Sequence, residues 1–282
     1  PRAGLDVPAA ALDAFLAGVP YRSRTERHAA PAVPVPVALP AGRRTAHAST
    51  QEAFGRIMGE LARSDLPLAG RIVTTSPDVT VSTGLAAWVS RRHVFAREEH
   101  EDVFRAQQVT SSTLWRESRT GQHIELGIAE NNLFLTLAAL GLAAPLLGTR
   151  LLPVGTLYDP FIARGLDALT YACYQDARFL LVATPSGVSL APEGGAHQSI
   201  GTPLIGMSQP GLTFFEPAFA DELAVMMRWS FEQLQAEDGG SVYLRLSTRT
   251  IAQPERRMDA TLEQAALAGG YWLAEPSADA EL

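Results

Sequence analysis

The chain has 282 residues, of which 46% are hydrophobic and 19% charged, a balance typical of a folded globular protein rather than a disordered one. Its formal net charge of −7 argues against nucleic acid as the main partner. All 23 basic residues are arginines, which excludes a Schiff-base lysine, a pyridoxal-phosphate anchor and a P-loop lysine.

The sequence predicts a cytoplasmic location without membrane contact. Its one cysteine, Cys173, cannot form an internal disulfide, which is typical of a reducing compartment. The longest apolar stretch, around Leu133–Leu147, is shorter than the ~20 residues that cross a bilayer, and no secretion signal opens the chain. Because the first residue is Pro1 rather than Met, we expect a fragment or a processed chain.

Composition divides the chain into three segments. Residues 1–46 are rich in Ala, Pro and Arg, and the proline-rich run 31–40 predicts an extended strap lying on another surface. Residues 253–282 lose hydrophobic periodicity and predict a linker or tail. The dense segment 47–252 between them predicts one globular domain.

Helix and strand patterns alternate along this segment in chain order. Ser49 followed by Glu52 is a capping-box pattern and predicts the start of the first helix. The apolar run Phe179–Thr184 predicts a central strand of a parallel sheet. Further strands are predicted at Arg71–Thr75, His123–Leu126, Leu151–Val154, Leu212–Phe215 and Ser241–Leu246. Further helices are predicted at Glu130–Leu142 and Ala220–Gln235, and another is predicted to begin at Asp159, whose carboxylate would cap it. This order predicts an α/β fold, a mostly parallel sheet with helices on both faces.

Ligands of such sheets bind beyond the carboxyl ends of the strands, where four candidate sites lie. Glu130 either compensates a helix dipole or is a buried, protonated hydrogen-bond donor. Tyr158 and Phe161, three residues apart, either line one pocket or pack in the core. His197, in a glycine-rich loop, either transfers protons or has no special role. Asp78 by itself is only a turn residue.

Several other chemistries have little support. The remaining histidines show no metal-binding spacing, so we predict no metal site in this chain. A serine hydrolase is disfavoured because no G-x-S-x-G motif is present, and a dinucleotide enzyme is disfavoured because no G-x-G-x-x-G fingerprint occurs.

Three motifs follow one another in a recognisable order, Gly121–Glu130, Leu157–Phe161 and Glu193–Gln198. Together they resemble the pyrimidine-binding domain of thiamine diphosphate enzymes of the transketolase superfamily. The similarity is greatest to the homodimeric type of pyruvate dehydrogenase first component, and covers roughly residues 71–249. Further similarity lies in Phe215–Met226.

The resemblance implies a role for each candidate residue. Glu130 would hydrogen-bond a nitrogen of the pyrimidine ring and share its proton, which requires a dry pocket. Tyr158 and Phe161 would line the pyrimidine pocket, His197 would reach the thiazolium and the substrate, and Asp78 would lie near the cofactor. The parent enzyme would decarboxylate pyruvate or a close homologue, pass the acyl group to a lipoyl-bearing acyltransferase, and form a homodimer.

The chain also departs from the family pattern. The family binds magnesium and diphosphate through a Gly-Asp-Gly motif with a downstream Asn, and no Gly-Asp-Gly occurs here, so we expect half an active site and an inactive isolated chain. Gln198 stands where close relatives become histidine-rich. Two alternatives stay open: a transketolase-like ketol transferase, which usually has Arg where Glu216 precedes Pro217, and a non-catalytic domain that keeps the fold.

Overall fold

A mostly parallel β-sheet organises the molecule. The computed structural model describes residues 7–19, 28–98 and 115–274, with the single positions 107, 109, 277 and 279. In these residues the strands are β1 (His47–Ala48), β2 (Ile72–Ser76), β3 (Val94–Phe95), β4 (Glu117–Ser118), β5 (His123–Glu125), β6 (Leu152–Leu157), β7 (Leu180–Ala183), β8 (Leu212–Phe215), β9 (Ser241–Arg245) and β10 (Ile251–Ala252). The main sheet has the order β4-β3-β5-β2-β6-β7-β9-β8, with every neighbouring pair parallel, while β1 and β10 form a separate antiparallel pair.

Helices cover both faces of this sheet. The helices of the described residues are α1 (Ala9–Ala17), none of whose residues is buried, α2 (Thr50–Arg63), α3 (Ala86–Arg92), α4 (Glu130–Gly141), α5 (Ala143–Leu147), α6 (Leu166–Tyr174), α7 (Thr202–Ser208), α8 (Ala220–Gln233) and α9 (Ala260–Leu267). Short 3-10 helices lie at Asp159–Gly165, Ala191–Glu193 and Gly195–His197. The predicted α/β architecture is confirmed.

Strand β7 shows why the sheet needs two helical layers. Successive side chains of a strand point to opposite faces. Leu180 and Val182 accordingly enter the core beneath α2, α3 and α8, whereas Leu181 and Ala183 enter the core beneath α4 and α6. A strand buried on both sides is apolar throughout, which is the pattern that predicts it.

The first helix of the domain begins as its sequence predicts. Ser49 Oγ accepts a hydrogen bond from the Glu52 amide at 3.1 Å, and Glu52 Oε2 accepts one from the Ser49 amide at 2.8 Å. This reciprocal pair satisfies two of the amides that a helix N-terminus leaves without intrahelical partners.

The helix predicted from Asp159 is present, but the prediction that the Asp159 side chain caps it is wrong. Residues Asp159–Gly165 form a 3-10 helix rather than an α-helix, and Tyr158 occupies the position before its first turn. The Asp159 side chain makes no cap; it is fully buried and bonds to residues far away in the sequence. Because these distant hydrogen bonds occupy the Asp159 carboxylate, it does not cap the helix in which it lies.

Both terminal segments pack against the domain. Leu39, in the predicted strap, is buried in the α2–α8 core, and the Val33 amide donates to Gln235 Oε1 at 2.6 Å. Residues 253–282, predicted as a linker or tail, contain α9, whose Ala266 is buried in the same core. The three-segment division itself stays a prediction. In the part of the chain described, we find no helix with the length and apolar character to cross a membrane.

Candidate functional site

The carboxyl edge of the sheet brings the predicted site residues to one side of the molecule. Asp78 follows β2, Glu130 follows β5, Tyr158 and Phe161 follow β6, and His197 follows β7. These four strands are neighbours in the order β5-β2-β6-β7 and run in the same direction. Their following segments therefore meet at the edge where parallel sheets bind ligands.

Three of these residues form an aromatic cluster. Tyr158 and Phe161 are stacked, with ring centroids 6.1 Å apart and planes inclined by 22°. The 3-10 helix explains this geometry, because three residues per turn place i and i+3 one above the other. The His197 ring meets Phe161 edge-on at 5.3 Å and lies 6.3 Å from Tyr158. All three side chains are partly exposed, so they border open space rather than fill the core.

Glu130 joins this cluster through an arginine that the sequence analysis missed. It is the first residue of α4, and its side chain is 9% exposed. Arg164 Nη1 donates to Glu130 Oε1 at 2.7 Å, and the same guanidinium lies over the Phe161 ring, 4.0 Å from its centroid. Arg164 is three residues after Phe161 in the same 3-10 helix, a spacing that could have revealed it.

Behind Glu130 the surroundings are apolar, as a dry pocket requires. Leu133, Phe134 and Leu137 of α4 are fully buried in the core between α4 and α6. Gly165 packs so closely on α4 that a Cβ there would collide with the Phe134 ring. This close approach fixes the 3-10 helix, and thereby Phe161 and Arg164, against the start of α4.

His197 lies in an exposed loop between β7 and α7. Its side chain is 33% exposed and its Nε2 is 3.7 Å from Glu193 Oε2, an ion pair only when the imidazole is protonated. The preceding Gly194 and Gly195 have φ values of 72° and 54°, which residues with a side chain rarely adopt. The loop conformation that turns His197 toward Phe161 thus depends on this glycine pair.

Asp78 belongs to a different group of residues. Its side chain is exposed, and its amide donates to Glu125 Oε1 at 2.8 Å. Glu125 also accepts from Thr80 Oγ1 at 2.7 Å and lies 3.5 Å from His123 Nε2. Burial opposes ionisation, but hydrogen bonds from His123, Thr80 and Asp78 outweigh it and lower the pKa of Glu125 to about 2. The structure places Asp78 beside this ionised carboxylate rather than in the aromatic cluster.

A second buried carboxylate, Asp159, lies directly beside the aromatic cluster. It accepts hydrogen bonds from Tyr243 and Arg245 of β9, at 2.6 and 3.0 Å. It also accepts from the Gly187 amide and from Thr202 Oγ1, both at 2.8 Å. Sequence reasoning could not find this network, because its members are up to 86 residues apart.

Two further observations concern metal and thiol chemistry. Among the residues that the structure describes, no group of three His, Cys, Asp or Glu side chains could hold a metal ion. Burial raises the pKa of the Cys173 thiol to about 11, so little thiolate exists near neutral pH.

One known protein family matches most of this chain. Residues 46–253 match the family described as the pyrimidine-binding domain of transketolase. The chain belongs to this family. The enzymes in which such domains occur, transketolases and pyruvate dehydrogenase first components, depend on thiamine diphosphate.

Individual relatives of this pyrimidine-binding domain come from two groups of enzymes. The pyruvate dehydrogenase E1 component of Mycolicibacterium smegmatis is 26% identical over 258 residues, 91% of this chain but 27% of that protein. The 6-deoxy-6-sulfo-D-fructose transketolase subunit SqwH of Clostridium sp. is 30% identical over 150 residues, 52% of this chain and 43% of that protein. The chain thus spans about a quarter of the length of its pyruvate dehydrogenase relatives.

Solved structures agree on the fold. A transketolase variant from Pichia stipitis superposes with a TM-score of 0.63 at 19% identity, over 86% of this chain and 31% of that one. At this identity the likeness concerns the fold alone, and it supports the parallel sheet with two helical layers described above.

The residues at the carboxyl edge of this pyrimidine-binding domain fit an aminopyrimidine. Arg164 provides the test, since its guanidinium is a planar N–H donor that stacks on Phe161 while it donates to Glu130. A buried carboxylate and an exposed ring face can therefore engage one flat, nitrogen-rich group at the same time.

Proposed function

We propose that the chain is the pyrimidine domain of a thiamine diphosphate-dependent 2-oxo acid dehydrogenase first component. The parent protein decarboxylates pyruvate or a close homologue and transfers the acyl group to a lipoyl-bearing acyltransferase. The observation that carries this proposal is the buried Glu130 carboxylate beside the Tyr158–Phe161 pair, in a chain whose relatives include pyruvate dehydrogenase E1 components.

Each residue of the site has a task in this proposal. Phe161 and Tyr158 hold the pyrimidine by stacking, worth ~1 kcal/mol per aromatic pair beyond burial. Glu130 holds or shares a proton at the carboxylate oxygen that now accepts from Arg164. His197, within 6.3 Å of both rings, is a proton donor or a partner for the substrate carboxylate. When bound, thiamine diphosphate supplies the electron sink for decarboxylation.

The rest of the site belongs to another part of the protein or to a second subunit. The chain lacks the Gly-Asp-Gly motif, so we propose that magnesium and diphosphate are bound by a separate domain. Apolar side chains stand exposed close to Glu130, among them Ile128 and Leu135. Such side chains are typical of a protein interface, and a partner across this one would complete the site. We propose that the parent protein is a cytoplasmic homodimer and that the isolated chain is inactive.

A transketolase-like ketol transferase is the second candidate. It is favoured by the relatives named as transketolases, including the 30% identical Clostridium subunit and a probable transketolase of Schizosaccharomyces pombe. Glu216 argues against it, because ketol transferases usually have Arg before the corresponding proline. Here the exposed Glu216 side chain accepts a hydrogen bond from the buried Arg245.

Substrate assays of the parent protein distinguish the two enzymes. We expect lipoyl-dependent oxidation of pyruvate or 2-oxobutyrate, and no ketol transfer from xylulose phosphate. Ketol transfer without oxidative decarboxylation would reject the dehydrogenase in favour of the transferase.

Substitution of the carboxylate tests whether the domain is catalytic at all. We expect Glu130→Gln to lower kcat by about 10²–10⁴-fold, the usual loss when a proton-transferring group is removed. Glu237→Gln, at an exposed glutamate, is the matched control and should retain full turnover. A non-catalytic domain would leave turnover and cofactor response unchanged in both variants.

A further inference from the structure

The long-range hydrogen bonds of Asp159 point to a role that the local sequence does not indicate. The side chain is fully buried, and both of its oxygens are used. Oδ1 accepts from the Tyr243 hydroxyl at 2.6 Å, while Oδ2 accepts from the Gly187 amide, Thr202 Oγ1 and Arg245 Nε at 2.8, 2.8 and 3.0 Å. A carboxylate with four donors holds the segments from which those donors come in one arrangement.

Two of the four donors lie at the ends of the loop that bears His197. Gly187 is at its beginning, just after β7, and Thr202 at its end, where α7 starts. Asp159 Oδ2 therefore holds the two ends of the loop 187–202 close together. The two ends are packed tightly, since a Cβ on Gly187 would collide with the Ser199 carbonyl oxygen.

Within the loop, the contacts of His197 are short-range, and its amide donates to the Gly194 carbonyl at 3.1 Å. Its ion-pair contact, 3.7 Å long, is to Glu193 of the same loop. A Cβ added to Gly194 or Gly195 would meet no atom within 4 Å, so the described structure around the loop leaves this region open. The ring contacts of His197 outside the loop are with Phe161 and Tyr158, so its position depends on these contacts and on where the two loop ends are held.

The same carboxylate is joined to the aromatic pair by the backbone. Asp159 immediately follows Tyr158 and lies two residues before Phe161, in the 3-10 helix that stacks their rings. We propose that Asp159 is a positioning residue that keeps the 187–202 loop closed, so that His197 lies against Phe161. Its value for catalysis rests on the function proposed above, but the loop closure itself does not.

Arg245 stabilises the buried Asp159, because its positive charge compensates the charge of the carboxylate. Its side chain is 4% exposed, and it bonds to Asp159 and to Glu216 after β8. Burial opposes its charge, yet the charge and hydrogen bond of Asp159 raise the pKa of Arg245. Burial and then the charge of Asp159 raise the pKa of Tyr243, so that hydroxyl stays a donor. The network thus connects the carboxyl ends of β6, β7, β8 and β9.

Hydrogen exchange on the 282-residue chain, without cofactor or substrate, tests the proposal. Thr202→Val conserves shape but removes the hydroxyl that donates to Asp159 and accepts from Ser199 Oγ at 3.4 Å. The donors from Arg245 and Tyr243 to Asp159 stay in place. We expect the amides of 187–201 to exchange about 10- to 100-fold faster, because the lost bond has a charged acceptor. The His197 ring protons should also move away from the shifts imposed by the Phe161 ring, and Thr202→Ser should restore both signals.

Tyr243→Phe is the matched control, because it removes a donor to the same carboxylate but none from the loop. We expect it to change exchange in the loop by less than about threefold. Equal acceleration in both variants, or unchanged exchange in Thr202→Val, would overturn the proposal. Asp159→Asn should open the loop if it folds, but the conclusion rests on Thr202→Val. Because no turnover is measured, a failed dehydrogenase assay would leave this result intact, and the reverse is also true.

Discussion

At the level of single residues, the bond between Glu130 and Arg164 joins two very different environments. The carboxylate side chain is 9% exposed, whereas the arginine side chain is 50% exposed. Removing the arginine leaves a buried carboxylate with its charge uncompensated, while removing the carboxylate leaves a guanidinium that water can solvate. We therefore expect Arg164→Gln to destabilise the chain by about 1–3 kcal/mol and Glu130→Gln to cost less. Urea unfolding measures both.

An exposed ion pair provides the control for this comparison. Arg63 and Glu60 are 2.9 Å apart on the surface of α2, with side chains 61% and 38% exposed. We expect Arg63→Gln to cost at most about 0.5 kcal/mol. Equal losses for Arg164→Gln and Arg63→Gln would show that Glu130 is not desolvated, and the dry site required for proton sharing would be refuted.

At the level of secondary-structure elements, Glu125 fastens the loop after β2 to the end of β5. Its pKa of about 2 lies below the value of about 4.3 in an unfolded chain. A depressed pKa contributes stability that is present above the unfolded value and is lost as the pH falls toward the folded value. The stability difference between wild type and Glu125→Gln should therefore be constant from pH 7 to about 5 and shrink below that.

Denaturation series at several pH values measure this difference. Glu237→Gln, at an exposed glutamate far from Glu125 in the sequence, is the control. Its stability difference from wild type should not shrink as the pH falls. A difference that stays constant or grows on acidification would contradict the ionised, hydrogen-bonded state of Glu125.

Elements with a local physical cause could be predicted from the sequence. The Ser49–Glu52 capping box and the doubly buried β7 are examples, since each depends on neighbours in the chain. Elements without a strong local pattern were missed, among them the two-residue strands β3 and β4, whose pairing partners alone define them. The helix predicted to begin at Asp159 continues past the 3-10 helix as α6, whose apolar residues Ala168, Leu169 and Ala172 follow helical spacing.

The same distinction holds for the candidate site. Tyr158, Phe161 and His197 were found because motif order and strand ends locate them, and the structure brings them together. Asp159 was misjudged because a local cap is the obvious use for an acid before proline. Its true partners become adjacent only when β6, β7 and β9 lie side by side, a long-range fact that no local pattern contains.

At the level of the whole molecule, one helical layer is better covered than the other. The α2–α3–α8 layer carries the strap and α9, whose Leu39 and Ala266 are buried in its core. On the α4–α6 layer, in the described residues, apolar side chains including Leu135 and Tyr171 are exposed. This layer also contains Glu130, so a second subunit seated on it would lie next to the site.

We predict that this layer is the interface of the proposed homodimer. Leu135 is 53% exposed, so burying the rest of it contributes about half of the 1.5–3 kcal/mol of a whole side chain in each subunit. Because both subunits carry the substitution, Leu135→Glu should weaken association by about 10- to 100-fold. Sedimentation across a concentration series measures the dissociation constant. Val37→Glu is the matched control, since Val37 is 93% exposed on the strap, away from this layer, and its variant should associate like wild type. A chain that stays monomeric throughout, or equal weakening by both substitutions, would exclude α4 and α6 as the contact surface and leave Glu130 without a neighbouring subunit.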